Sequence, residues 1–155
     1  MKKKAGLLKS RLLLLSLCFG LLTLYSCYLN KDSAEIIGSG VVVEETRDVD
    51  FFDSIQIVGS ANVFFRKDAT QSLRLEAEDN IMPIIDTRVE NGTLVIESTR
   101  SYSTDIGIRV YAAMTEIRRF TINGAANIVG QEAFTTDILD MEIIGAGGLY
   151  AEALL

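Results

Sequence analysis

The chain has 155 residues, about one domain, with 21 acidic and 15 basic side chains, two Cys, one Pro, no His and no Trp. Without His there is no His-based triad, no HExxH zinc site and no imidazole pH switch. Lys2, Lys3, Lys4, Lys9 and Arg11 fall in the first 26 positions, which leaves residues 27–155 with ten basic against 21 acidic side chains, a net charge of −11. Nucleic-acid binding rests on clustered Lys and Arg, so no nucleic-acid partner is expected.

The first 26 residues read as a signal peptide. A positive segment, Lys2-Lys3-Lys4 with Lys9 and Arg11, precedes an apolar stretch from Leu12 to Leu24. That stretch has the length of a signal core and falls short of the ~18 residues that span a bilayer. Leu24-Tyr25-Ser26-Cys27 follows, and it resembles the bacterial lipobox, with an aliphatic residue at −3 and a small one at −1. The resemblance implies cleavage before Cys27, with diacylglycerol on its sulfur and an acyl chain on its amine. Cys18 leaves with the leader, so a chain cleaved there has no internal disulfide, and acylation accounts for the lone Cys27. Two or more acyl chains anchor stably, at about 0.8 kcal/mol per buried CH₂. The alternatives are an ordinary secretory signal with a free Cys27 thiol, or an uncleaved anchor. Residues 27–35 are polar enough to serve as a tether.

Residues 36–155 carry a recurring pattern of alternating apolar residues followed by Gly and a small residue. It appears at Ile36-Ile37-Gly38, Ile55-Gln56-Ile57-Val58-Gly59, Phe120-Thr121-Ile122-Asn123-Gly124 and Met141-Glu142-Ile143-Ile144-Gly145. The first and last pairs of glycines are 21 residues apart, and the middle pair 65, close to three such steps. Ser72–Ala77 and Thr93–Glu97 sit where two degenerate copies would start, with Asn80 in place of one Gly. Period-2 alternation marks Ile55/Ile57, Val63/Phe65, Leu73/Leu75/Ala77, Leu94/Ile96, Ile106/Ile108/Val110, Phe120/Ile122 and Leu139/Met141/Ile143 as inward pairs on strands. Turn residues fall between them at Lys67-Asp68-Ala69, Glu90-Asn91-Gly92 and Gly130-Gln131-Glu132. A unit this short cannot bury its own apolar row, whereas stacked units can. The expected fold is therefore all-β, a parallel β-helix or solenoid of about 21-residue rungs. In it Asn62 and Asn127, each three residues past a Gly, would stack their amides. An all-β sandwich is the competing architecture.

Several segments, in order, resemble the GIN domain family of auto-transporter adhesin heads. They are Gly38-Ser39-Gly40, Val43 to Val49, Phe52-Asp53-Ser54-Ile55, Ile57-Val58-Gly59-Ser60, Glu76 to Asn80, Asn91 to Ile96 and Ile122-Asn123-Gly124-Ala125. The resemblance covers residues 36–155. It implies a right-handed β-helix in an exported lipoprotein of the Bacteroidetes type, and it implies no established activity. Domains of that family usually continue through further Gly-rich rungs. This chain reaches Ala151-Glu152-Ala153-Leu154-Leu155 inside or just after a rung, so the expectation is a C-terminally short form. Its open last rung would then be available for self-association or a partner.

Signals of chemistry are sparse. Asp48, Asp50 and Asp53 are the densest carboxylates near a turn and the only candidate oxygen ligands for Ca²⁺, without EF-hand spacing. A solvated acidic turn explains them better, so no metal and no cofactor is expected. Nothing singles out a glycosidase acid and base, and GxSxG, SxxK, CxxC and Walker patterns are absent. Phe64, Tyr102, Tyr111 and Tyr150 could form an aromatic platform for sugars. The reading is a non-catalytic lipoprotein held in the outer membrane through Cys27, facing the periplasm or the cell surface. Its task is adhesion or scaffolding toward a protein or glycan; a carbohydrate-active or Ca²⁺-assisted β-helix enzyme is the alternative.

Overall fold

The computed structural model describes residues 35–154, so the leader, Cys27 and nearly all of the expected tether lie outside the described residues. Thirteen strands follow in chain order: β1 Ile36–Ile37, β2 Val42–Arg47, β3 Ser54–Gly59, β4 Asn62–Lys67, β5 Ser72–Glu78, β6 Ile85–Glu90, β7 Thr93–Ser98, β8 Tyr102–Ser103, β9 Arg109–Met114, β10 Arg119–Gly130, β11 Phe134–Thr135, β12 Asp140–Tyr150 and β13 Ala153–Leu154. A short 3-10 turn, Met82–Ile84, lies between β5 and β6. Among the described residues no helix is long and apolar enough to cross a membrane.

Alternation decides which side chains go inward. Ile55, Ile57, Val63, Phe65, Leu73, Leu75, Leu94, Val110, Phe120, Ile122 and Ile128 are fully buried. Each is flanked along its strand by less buried neighbours, as a half-buried strand requires. Asn91 and Gly92 link β6 to β7 with φ of 51° and 77°, the two positive values of a type I′ hairpin turn.

Nine strands form one mixed sheet in the order β2-β5-β9-β4-β10-β3-β7-β6, with β12 on the other edge of β10. β10 has twelve residues and takes two partners along one edge. Its first half pairs with β3 (Arg119↔Ser54 to Gly124↔Gly59) and its second with β4 (Asn127↔Asn62 to Gly130↔Phe65). The ladder bends at its middle, where Gly59, Gly124 and Gly145 stand in register with φ of 110°, 140° and 129°. A Cβ on Gly124 would lie 2.2 Å from the Gly59 carbonyl oxygen, so dihedral and space both demand glycine there. The bend divides the sheet into a first arm (β6, β7, β3, the start of β10) and a second (β2, β5, β9, β4, the end of β10). The sheet curls so that both arms share one core. Phe65 of the second arm meets Phe120 of the first with ring centroids 4.7 Å apart, and Phe134 meets Phe65 at 5.2 Å. Burying a ring of this size is worth roughly 1.5–3 kcal/mol.

This architecture corrects the expected parallel β-solenoid. Three pairings are antiparallel: β2 with β5, β5 with β9, and β6 with β7. Ser72–Ala77, expected as a parallel rung, lies in β5 and runs against both of its neighbours. Thr93–Ser98 does lie parallel to β3, but on the edge of β3 away from β10. An early strand is thus held between two later ones, which successive winding cannot produce. Gly59 and Gly124 are direct partners, with no rung between them. Gly38 and Asn80 lie outside the glycine line: the Asn80 amide donates to the Ile37 carbonyl at 2.7 Å and accepts from the Ser39 N–H at 3.0 Å. The physical reason is that alternation and turn spacing do not distinguish a strand that returns parallel from one that returns antiparallel. The sandwich alternative is not adopted either, because these strands belong to one continuous sheet.

The Gly38-Ser39-Gly40 segment is fastened to Glu78. That carboxylate is 3% exposed and accepts from the Gly40 N–H at 2.7 Å and from the Thr104 hydroxyl. A Cβ on Gly38 would collide with it. Two segments that carried the family resemblance are thus bonded to each other, one ahead of β2 and one at the end of β5.

Candidate functional site

The three expected carboxylates do not converge. Asp48 and Asp50 are exposed on the connection between β2 and β3, while Asp53 turns into a groove at the start of β3. There its Oδ2 pairs with Arg118 Nε at 3.2 Å and its Oδ1 accepts from the Ser54 hydroxyl at 2.8 Å. The groove, about 1000 Å³ in volume, is also lined by Lys67, Asn91, Arg119, Thr136 and Asp140. Its charges are largely satisfied from within: Arg119 pairs with Asp140 at 2.9 Å, Glu116 with Arg118 at 3.3 Å, and Lys67 donates to the Thr135 carbonyl at 2.7 Å. Glu76, Glu78 and Asp79, also close in sequence, disperse as well, with Glu76 outward, Glu78 buried and Asp79 accepting from Ser39. Among the described residues no three Asp, Glu, His or Cys side chains are grouped closely enough to hold a metal ion.

The outer face of the second arm is organised differently. Strand register places Thr46, Arg74, Tyr111, Phe64, Val129 and Tyr150 in one line across β2, β5, β9, β4, β10 and β12. These residues alternate with buried Val63, Phe65, Val110 and Ile128, so they point away from the core. The Phe64 and Tyr111 rings stack with centroids 5.2 Å apart and planes 19° apart, and the Arg74 guanidinium lies 4.1 Å from the Tyr111 centroid. Such a cation–π contact at a wet surface is worth about 0.5–1 kcal/mol. The Tyr111 hydroxyl donates to Glu76 at 2.8 Å; burial first, then this bond, pushes its pKa up, so it remains a neutral donor. Tyr150 is 63% exposed, and its ring lies against Gly148, where a Cβ would touch it at 3.3 Å.

Beside this line, two residues back along β4, runs a polar one: Glu44, Glu76, Arg109, Asn62, Asn127 and Gly148. The expected amide stack is present as a pair, Asn127 Nδ2 donating to Asn62 Oδ1 at 3.2 Å. Each amide has one further group, Asn62 Nδ2 and Asn127 Oδ1, with no partner among the described residues. Of the four expected aromatics, Phe64, Tyr111 and Tyr150 share this face. Tyr102 does not: it is half-buried, pairs through β8 with β1, and donates its hydroxyl to the Ser60 carbonyl at 2.7 Å. Sequence reasoning missed Arg74, Arg109 and Val129. A signal for Val129 existed, since Phe64, Val129 and Tyr150 each stand five residues past a register glycine. Arg74 had none, because it reaches the face through an antiparallel strand.

Solved structures share this fold. A crystal structure of a "putative adhesin" from Bacteroides fragilis matches with TM-score 0.67 and 20% identity, over 74% of this chain and 54% of that one. A "putative lipid binding protein" from Parabacteroides distasonis matches with TM-score 0.69 and 18% identity, over 77% and 53%. A "putative adhesin" from Parabacteroides merdae matches with TM-score 0.62 and 14% identity, over 70% and 46%. The chain spans about half the length of these structures. No curated protein matches it. The family model described as "Putative auto-transporter adhesin, head GIN domain" matches residues 51–154, and by that match the chain belongs to the GIN domain family.

Proposed function

We propose that the chain is a non-catalytic adhesion module of the cell envelope, exported by residues 1–26 and held in the outer membrane by acylated Cys27. Its binding surface is the outer face of the second arm. The observation that carries this reading is the aromatic line through Tyr111, Phe64 and Tyr150 beside an incompletely bonded amide pair. Membership of an adhesin-head family supports the choice of binding over catalysis. The charged side chains around Asp53 are paired with one another, which lends the enzyme alternative no support.

The test uses the full chain, expressed with its own leader in a Gram-negative host. Mass spectrometry of the N-terminal peptide from membrane fractions should show an acylated Cys27, and Cys27→Ala should move the protein to the soluble fraction. Cells carrying the wild-type chain should adhere to extracellular-matrix or mucin-coated surfaces more than cells carrying Cys27→Ala. An unmodified Cys27 together with equal adhesion would contradict the reading.

A further inference from the structure

Resting on the adhesion reading above, we propose that the outer face of the second arm is a binding site for a neutral, extended glycan lying across the strands. The glycan would run along Tyr111, Phe64, Val129 and Tyr150, with its hydroxyls turned toward Asn62, Asn127 and Arg109. Three features of the face lead there.

The first is its two-sided chemistry. A pyranose ring has an apolar C–H face and a rim of hydroxyls. Here an apolar line stands next to a line of amide, guanidinium and carboxylate groups, one set for each part of the sugar. Asn62 Nδ2 donates and Asn127 Oδ1 accepts, and neither has a partner among the described residues. A hydroxyl does both at once, so one sugar oxygen satisfies either amide, which a lipid chain cannot do.

The second is spacing. Side chains in register on adjacent strands repeat every ~4.8 Å, close to the advance per sugar of an extended β-linked chain. Phe64 and Tyr111 hold that spacing, with centroids 5.2 Å apart; stacked on each other and capped by Arg74, they offer ring edges to the chain, and the exposed ring of the line is that of Tyr150. The line crosses four strands from Tyr111 to Tyr150, room for a short run of sugars rather than a single ring.

The third is charge. Residues 27–155 carry a net −11, and on the face itself Arg74 and Arg109 are balanced by Glu44 and Glu76. An anionic polymer such as a sulfated or phosphorylated glycan would be repelled. Along the line Phe64, Tyr111 and Val129 are partly exposed and Tyr150 is 63% exposed, which suits a chain bound from one side.

The experiment is titration of the full chain, in detergent, with β-1,4-linked glucose, xylose and N-acetylglucosamine hexamers, followed by calorimetry. Sulfated dextran and oleate serve as comparison probes. At least one neutral hexamer should bind. Tyr150→Ala, at an exposed position that leaves folding unchanged, should weaken binding about tenfold, and Asn62→Ala with Asn127→Ala should weaken it severalfold. Unaltered thermal melting of Tyr150→Ala separates a lost contact from a lost fold. Binding of oleate or sulfated dextran, but of no neutral hexamer, would overturn the proposal. Absence of all binding from a chain whose cells still adhere would overturn it and leave the adhesion reading standing. Hexamer binding unaffected by Tyr150→Ala would place the site elsewhere and overturn it too.

Discussion

Ile122 and Ile143 are register partners on neighbouring parallel strands, with the same orientation and the same alternating flanks. Yet Ile122 is fully buried and Ile143 is 41% exposed. The adjacent pair repeats the contrast, Phe120 at 0% and Met141 at 42%. What differs is the number of strands alongside. β10 lies between β3 or β4 on one edge and β12 on the other, whereas β12 has, among the described residues, β10 alone. An inward pattern is thus only a licence for burial; the neighbour on the second edge completes it. The far end of the parallel pairings is closed instead by antiparallel strands, β6 against β7 and β5 against β9. Their outward residues are charged and paired, as with Arg88 among Asp86, Glu90 and Glu97. Charge on an edge strand discourages a further strand from docking, and β12, with exposed Met141, Ile143 and Ile144, has less of it.

The largest effects should separate interior from edge. Phe120→Ala removes a ring packed on Phe65 and should cost about 3–5 kcal/mol in denaturant unfolding, against less than about 1 kcal/mol for Met141→Ala. Ile122→Ala should cost about 2–5 kcal/mol and Ile143→Ala again less than about 1 kcal/mol. Equal losses within either pair would break the comparison.

Glycine at the bend sharpens it. Gly124→Ala and Gly145→Ala both place a Cβ 2.2 Å from a carbonyl oxygen, at φ of 140° and 129°. Gly124 is fixed by strands on two sides, so strain of about 1–3 kcal/mol has no outlet. β12 can shift away from β10, so Gly145→Ala should cost measurably less in a thermal melt.

The smallest effect belongs to the surface. Tyr150→Ala should change stability by no more than about 0.5 kcal/mol, while it weakens glycan binding. A large drop in melting temperature would mean that Tyr150 is covered in solution.

Much of the fold was legible one strand at a time. Every inward pair read from alternation between Ile55 and Ile122 is half-buried or fully buried, because period 2 states which face a side chain takes. It does not state which strand lies alongside or in which direction. Alternation therefore does not tell Ser72–Ala77, which runs antiparallel, from a parallel rung, nor on which edge of β3 Thr93–Glu97 lies. The site shows the same limit. Phe64, Tyr150, Asn62 and Asn127 could be aligned by counting from a glycine, since their strands do run parallel. Arg74 and Glu76 join them across an antiparallel ladder, where no fixed offset exists. Asp48, Asp50 and Asp53 were adjacent only in sequence; Asp53 alone turns into the groove, toward Arg118.

The most direct test of the central contrast is amide hydrogen exchange on the full chain. In β10, whose two edges are both paired, amides should be protected to nearly the global unfolding free energy. In β12 protection should alternate, slow where an N–H bonds to β10 and fast where it faces the open edge. Uniform slow exchange along residues 140–150 would contradict the account, because β12 would then have a second neighbour in solution.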